Sequence, residues 1–258
     1  MLEGKVAVIY GAGGAVGGAV AGAFAREGAK VFLTGRTQAS VEAAAKAIGS
    51  AEAAEVDALD ERAVDKHLQS VIDAAGRVDI SFNAVGIHDT KIIGVPLTEL
   101  DVDQFTRPIA AHATSYFLTA RLAARRMIPN KSGVIMTVST LHSRTGLPFV
   151  GGYGPAQAAK EALTRDLSAE LAPHGIRVIG LRPQAMPEAR GIGEAFQARA
   201  KAAGLTQEKF MELLASKTHP RRLMTLEEMA NVAAFVASDR ASGMTGTTVN
   251  LTMGSLDD

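Results

Sequence analysis

The chain has 258 residues, 47% of them apolar, with 27 basic and 27 acidic side chains and no cysteine. Zero formal charge leaves no basic field to draw it to nucleic acid or anionic lipid, and without cysteine there is no disulfide framework, thiolate nucleophile or thiolate metal site. What remains is small-molecule chemistry in a cytoplasmic protein, without a metal and without a membrane.

In chain order, KVAVIY (5–10) predicts a first strand, GAGGAVGG (11–18) a glycine-rich turn, and the alanine-rich segment ending in AREGAK a first helix. Val6 to Ala25 carries no charge and is long enough to suggest a membrane span, but its six glycines argue against one. Further strand-like runs follow at 30–34, 53–56, 78–83, 133–139, 176–181 and 247–251, most of them separated by helical patterns. Near-continuous apolar strands alternating with helices imply a parallel sheet covered on both faces, because each parallel pairing needs a crossover long enough to hold a helix. The fold class is therefore α/β, a doubly wound Rossmann-type sheet of seven strands in one domain spanning 1–258. Between Arg182 and Thr247 there is no strand. The amphipathic segments GEAFQARAKAAG and TQEKFMELLASK lie there, so about 183–222 reads as a substrate lid at the carboxyl edge of the sheet or as a plain surface pair of helices. HPRR (219–222) reads as a solvated turn.

Glycines between a first strand and a first helix let the backbone approach a diphosphate, whose charge suits free N–H groups and the helix dipole. KVAVIYGAGGAVGGAVAGAFAREGAKV resembles the opening of the short-chain dehydrogenase/reductase family, and the similarity continues to TGTTVNLTMG near the C-terminus. The family's Thr-Gly-x-x-x-Gly-x-Gly falls on Tyr10, Gly11, Ala15 and Gly17, with Val16 inside it, so the threonine and the middle glycine are changed. After the second strand, Gly35 stands where an acid would hold the ribose of NAD, followed by Arg36 and Thr37. Arginine offers a 2′-phosphate a planar fork of donors, which favours NADP(H). The resemblance also implies an adenine contact at Asp57, and cofactor contacts at Ala58, Asn83, Gly86 and Pro183.

For the reacting end, the resemblance implies a proton donor at Tyr153 and a substrate-orienting hydroxyl at Thr140, thirteen residues earlier. The family lysine four residues after the tyrosine is replaced by Gln157, which can hold the nicotinamide ribose but supplies no charge. A unit charge at about 4 Å in an effective dielectric near 20 is worth about 4 kcal/mol, so its loss should bias the site toward reduction. The family asparagine falls on His112, read as packed or as part of a proton relay. Gln184 and Glu188 fall beside the nicotinamide. Tyr153 and Lys160 have the spacing of enoyl-thioester reductases, but the register is wrong, and Lys160 reads as a solvated helix residue. Leu147, Phe149 and Met186 suggest a mostly apolar pocket.

The resemblance thus implies an NADPH-dependent reductase of a carbonyl in a small, mostly apolar substrate, working as a homo-dimer or homo-tetramer. The alternatives are an NADP(H)-binding protein with little or no turnover and, third, an enoyl-thioester reductase.

Overall fold

The computed structural model describes residues 1–87, 92–188 and 192–257. Seven parallel strands form one sheet: β1 (Val6–Tyr10), β2 (Lys30–Gly35), β3 (Glu52–Glu55), β4 (Ile80–Asn83), β5 (Gly133–Val138), β6 (Ile176–Pro183) and β7 (Thr247–Leu251). Their order is β3-β2-β1-β4-β5-β6-β7, every pairing parallel, and the doubly wound sheet of seven strands is as predicted.

Eight α-helices accompany them among the described residues: α1 (Ala15–Arg26), α2 (Gln38–Ile48), α3 (Glu61–Ala75), α4 (Val102–Met127), α5 (Tyr153–Leu171), α6 (Ile192–Ala202), α7 (Gln207–Ser216) and α8 (Leu226–Ala237). Central strands are buried on both sides, so they carry apolar residues without alternation, and the core divides in two. One half packs Phe24 of α1 and Met229 of α8 against Ile9, Leu33 and Leu181; the other packs Tyr116 of α4 and Leu167 of α5 against Val8, Ile135 and Val178.

The chain leaves β1 toward β2 on one side and returns to place β4 on the other. Such a reversal opens a crevice at the carboxyl ends of the two central strands, because their following loops diverge. Gly11 turns there with a positive φ of 77°, and a Cβ on it would lie 2.7 Å from the Ala84 carbonyl oxygen after β4. Glycine is what lets these two loops meet. The two predicted lid segments are helical, as α6 and α7, and cluster through Phe196, Ala200, Phe210 and Leu214. Residues 189–191 of the segment assigned to the lid lie outside the described residues. No helix among the described residues is long and apolar enough to cross a membrane.

Candidate active site

A cleft of about 650 Å³ occupies the crevice. Its phosphate end is built from backbone. Gly11, Ala15, Val16 and Gly17 line it, and α1 starts on Gly14 with no side-chain cap and no acid in its first turn. The N–H groups of a helix start and its dipole are therefore left for an anion. Arg36 and Thr37, which follow β2, and Ser40 continue the wall. This cradle fits the diphosphate of a dinucleotide, and the exposed Arg36 suits a further phosphate on its ribose. One acid sits close by. The Glu55 carboxylate, opposite Gly35 across the β2–β3 pairing, accepts from the Gln38 N–H at 3.2 Å.

Gly86, Gln157 and Pro183 also line the cleft, whereas Asp57, Ala58 and Asn83 do not. Asp57 accepts from the Leu59 N–H at 3.0 Å, and Ala58 packs into the core on the α3 side. Asn83 donates to the Thr119 hydroxyl at 3.1 Å and accepts from the Val85 N–H at 3.3 Å, holding the turn that delivers Ala84 and Gly86 to the cleft.

At the reacting end, Thr140 follows β5, Tyr153 opens α5, and both reach the cleft wall. Gly152, just before the tyrosine, is in close approach to the Phe105 backbone of α4, where a side chain would collide with the carbonyl. That contact sets where α5 begins and so where Tyr153 stands. The tyrosine ring lies between two imidazoles, edge to face with His112 at 5.7 Å and with His142 at 5.6 Å. Burial pushes both histidines down to about 3, helped by the charge of Lys160 near His112 and of Arg199 near His142. Both are neutral at physiological pH. The His112 ring nitrogens reach no partner in full hydrogen-bonding geometry among the described residues, although the Val85 backbone beside them favours the charged ring.

Thr140 is oriented by its neighbours. A guanidinium only donates, so the approach of Arg199 Nη1 to His142 Nε2 at 3.4 Å assigns the lone pair to Nε2 and the proton to Nδ1. Nδ1 lies 3.1 Å from Thr140 Oγ1, which also accepts from the His142 backbone N–H at 3.3 Å. With its lone pairs engaged, the hydroxyl has its own proton left to donate into the cleft. Beneath this, Glu161 accepts from Ser139 at 2.7 Å, Ser143 at 2.6 Å and Arg182 at 2.8 Å. Burial works to raise the Glu161 pKa, but those donors win and hold it below the usual carboxylate range.

The sequence pattern of the family described as enoyl-(acyl carrier protein) reductase matches residues 11–255. The chain belongs to the short-chain dehydrogenase/reductase family. Secoisolariciresinol dehydrogenase of Forsythia intermedia is 30% identical over 251 residues, 95% of this chain and 86% of that protein. Among solved structures, NAD+-bound xylitol dehydrogenase has a TM-score of 0.89 at 27% identity, covering 96% of this chain and 97% of its own. An actinorhodin polyketide ketoreductase with NADPH reaches 0.90 at 19% identity over 98% and 99%, a likeness of fold. This short-chain dehydrogenase/reductase is therefore an oxidoreductase of the type that acts on carbonyl or hydroxyl groups, with a nicotinamide cofactor.

Within that family pattern, further expectations from the sequence are corrected. Lys160 is not solvated: it is 1% exposed, lines the cleft and donates to the Val138 carbonyl at 2.6 Å, and burial pushes its ammonium down to about 7. Nor does the reacting end lack a cation, since Arg199 borders it and stands close enough to Tyr153 to feel a phenolate. Glu188 is not at the nicotinamide; it accepts from the Leu226 N–H at 2.9 Å and caps α8. Gln184 does line the cleft, tied to Ser255 and the Ala185 N–H. Leu147 and Met186 form part of the apolar wall, and Phe149 does not.

His142 and Arg199 escaped the sequence reading. Arg199 lies three residues after Phe196 and next to Ala200, both buried, a helical phase that would have placed it inward.

Proposed function

We propose that the protein is an NADP(H)-dependent reductase of a substrate carbonyl, with Tyr153 as proton donor and Thr140 as hydrogen-bond donor to the substrate oxygen. The observation that carries this reading is one continuous cleft joining the glycine turn and Arg36 to Thr140 and Tyr153. When bound, the nicotinamide supplies the hydride. Gly11, Ala15, Val16 and Gly17 hold the diphosphate, Arg36 and Thr37 the 2′-phosphate, and Gln157, Gly86 and Pro183 the nicotinamide half. Asp57, Ala58 and Asn83 serve from behind the cleft wall, by shaping the loops.

Thr140 aligns the carbonyl oxygen, and its hydrogen bond strengthens as negative charge grows there. Tyr153 delivers the phenolic proton to the same oxygen. The helices α6 and α7 close the apolar side and keep water out. Cofactor oxidation followed with a panel of ketones and aldehydes tests the reading, and a tight cofactor complex that no carbonyl oxidises would favour the binding protein without turnover.

Enoyl-thioester reduction is a second reading, supported by the burial of Lys160 on the cleft wall seven residues after Tyr153. An enoyl-thioester panel separates the two. We further expect a homo-dimer or homo-tetramer, to be read by light scattering.

A further inference from the structure

Arg199 stands on the cleft wall at 9% exposure, carried there by α6. Its guanidinium keeps its proton at any ordinary pH and can only donate. Among the described residues no carboxylate partners it. What faces it are the Phe210 ring, 5.1 Å from ring centroid to guanidinium carbon, the lone pair of His142 Nε2 at 3.4 Å and, within electrostatic reach, the Tyr153 phenol. A ring face, one neutral nitrogen and a neutral phenol do not balance a permanent charge that has left water, and such a charge is retained where a counter-ion arrives.

No aspartate or glutamate lines the cleft among the described residues, so the protein does not supply that counter-ion. The cofactor's phosphates do not supply it either. They belong with the α1 start and Arg36, while Arg199 adjoins the other end, one imidazole beyond Thr140. Phe196 and Leu214 of the cleft wall pack with the Phe210 ring beneath it, so a single guanidinium on this apolar ground discriminates strongly between charged and neutral ligands.

We propose that Arg199 is a substrate-anion site: the protein takes carbonyl compounds that carry a carboxylate or phosphate a few bonds from the reacting carbonyl. This rests on the reductase reading and gives it a substrate class. The oxygen to be reduced sits at Thr140 and Tyr153, and the anion sits across the His142 ring, where the guanidinium offers two oxygens parallel donors. Closure of the lid helices is then tied to the anion, because α6 carries the arginine.

The test uses the NADP+-bound protein, which binds ketones without reducing them, and pairs that differ only in charge. Acetoacetate is compared with methyl acetoacetate, and dihydroxyacetone phosphate with dihydroxyacetone, by titration calorimetry. The charged member of at least one pair should bind at least tenfold tighter, and which pair responds names the anion. Arg199→Met should bring that member to the affinity of its neutral partner with cofactor affinity unchanged, and Arg199→Lys should keep part of the preference. Equal or weaker binding of both charged members in the unmodified protein overturns the proposal without recourse to any variant. So does a preference that survives Arg199→Met. If the preference holds and depends on Arg199 but NADPH is never oxidised, the anion site stands and the reductase reading falls; turnover of neutral ketones with no charge preference does the reverse.

Discussion

The two ends of the cleft are made by different physics. At the phosphate end, a glycine turn, the uncapped start of α1 and an exposed arginine line the cleft, and the requirement on the chain is small residues in a tight turn between strand and helix. At the reacting end, side chains from four separate places converge: Thr140 and His142 after β5, His112 from α4, Tyr153, Gln157 and Lys160 from α5, and Arg199 from α6. Backbone recognition tolerates changes such as Ala15 or Tyr10. A convergence of buried side chains leaves each charge dependent on its neighbours: glutamine at 157 stands on the same helix as the buried lysine at 160, and the histidine at 112 packs on the tyrosine.

The sharpest break between the ends is Tyr153→Phe. It should lower carbonyl reduction by about 10²–10⁴, the usual worth of a positioned acid, while NADPH titrates as before. Full activity in that variant would move the proton donor elsewhere and dissolve the division.

Next in size is the buried pair beneath the site. Arg182 and Glu161 have side chains only 3% and 5% exposed, so Arg182→Met leaves a buried carboxylate with two hydroxyl donors and no counter-charge, and should cost about 3–5 kcal/mol in urea unfolding. A loss within error of zero would mean the reacting end does not rest on this pair.

Lys160 ties the same end to pH. Its folded-state pKa is lowered to about 7 from an ordinary 10.5, so between those values the unfolded chain binds the proton and the folded one does not. Stability contributed by this residue must therefore rise with pH across that window, by up to about 1.4 kcal/mol per unit, and be lowest below pH 7, where the buried ammonium is charged. Lys160→Met should flatten the rise and melt higher than the unmodified protein at pH 6. Parallel melting curves for the two proteins from pH 6 to 10 would place the lysine in solvent.

The smallest effects belong to the phosphate end. Arg36→Asp should shift preference from NADPH to NADH by about tenfold, or about 1.4 kcal/mol, read by cofactor fluorescence titration. Glu55→Gln should move preference a few-fold further toward NADPH, by removing the carboxylate beside the helix start. Preference for NADH in the unmodified protein would assign that pocket to an unphosphorylated ribose.

By itself the sequence determined the parallel sheet and the glycine turn, local signals carried by apolar runs and breaker residues, whereas Arg36, Thr37, Thr140 and Tyr153 were singled out by the resemblance to the family, at its offsets from those landmarks. Packing between elements far apart in the chain decided the rest. Lys160 shares a helical stripe with the buried Ala156 and Thr164, so docking of α5 on α4 takes it out of water, and its charge says nothing of that beforehand. Glu188 turned from the nicotinamide to cap α8, and Arg199 met His142 across 57 positions of sequence. Those partners became neighbours only once the chain had closed around the cleft, and the burial that followed is what suppresses the charge of both histidines and of Lys160 while Arg199 keeps its own.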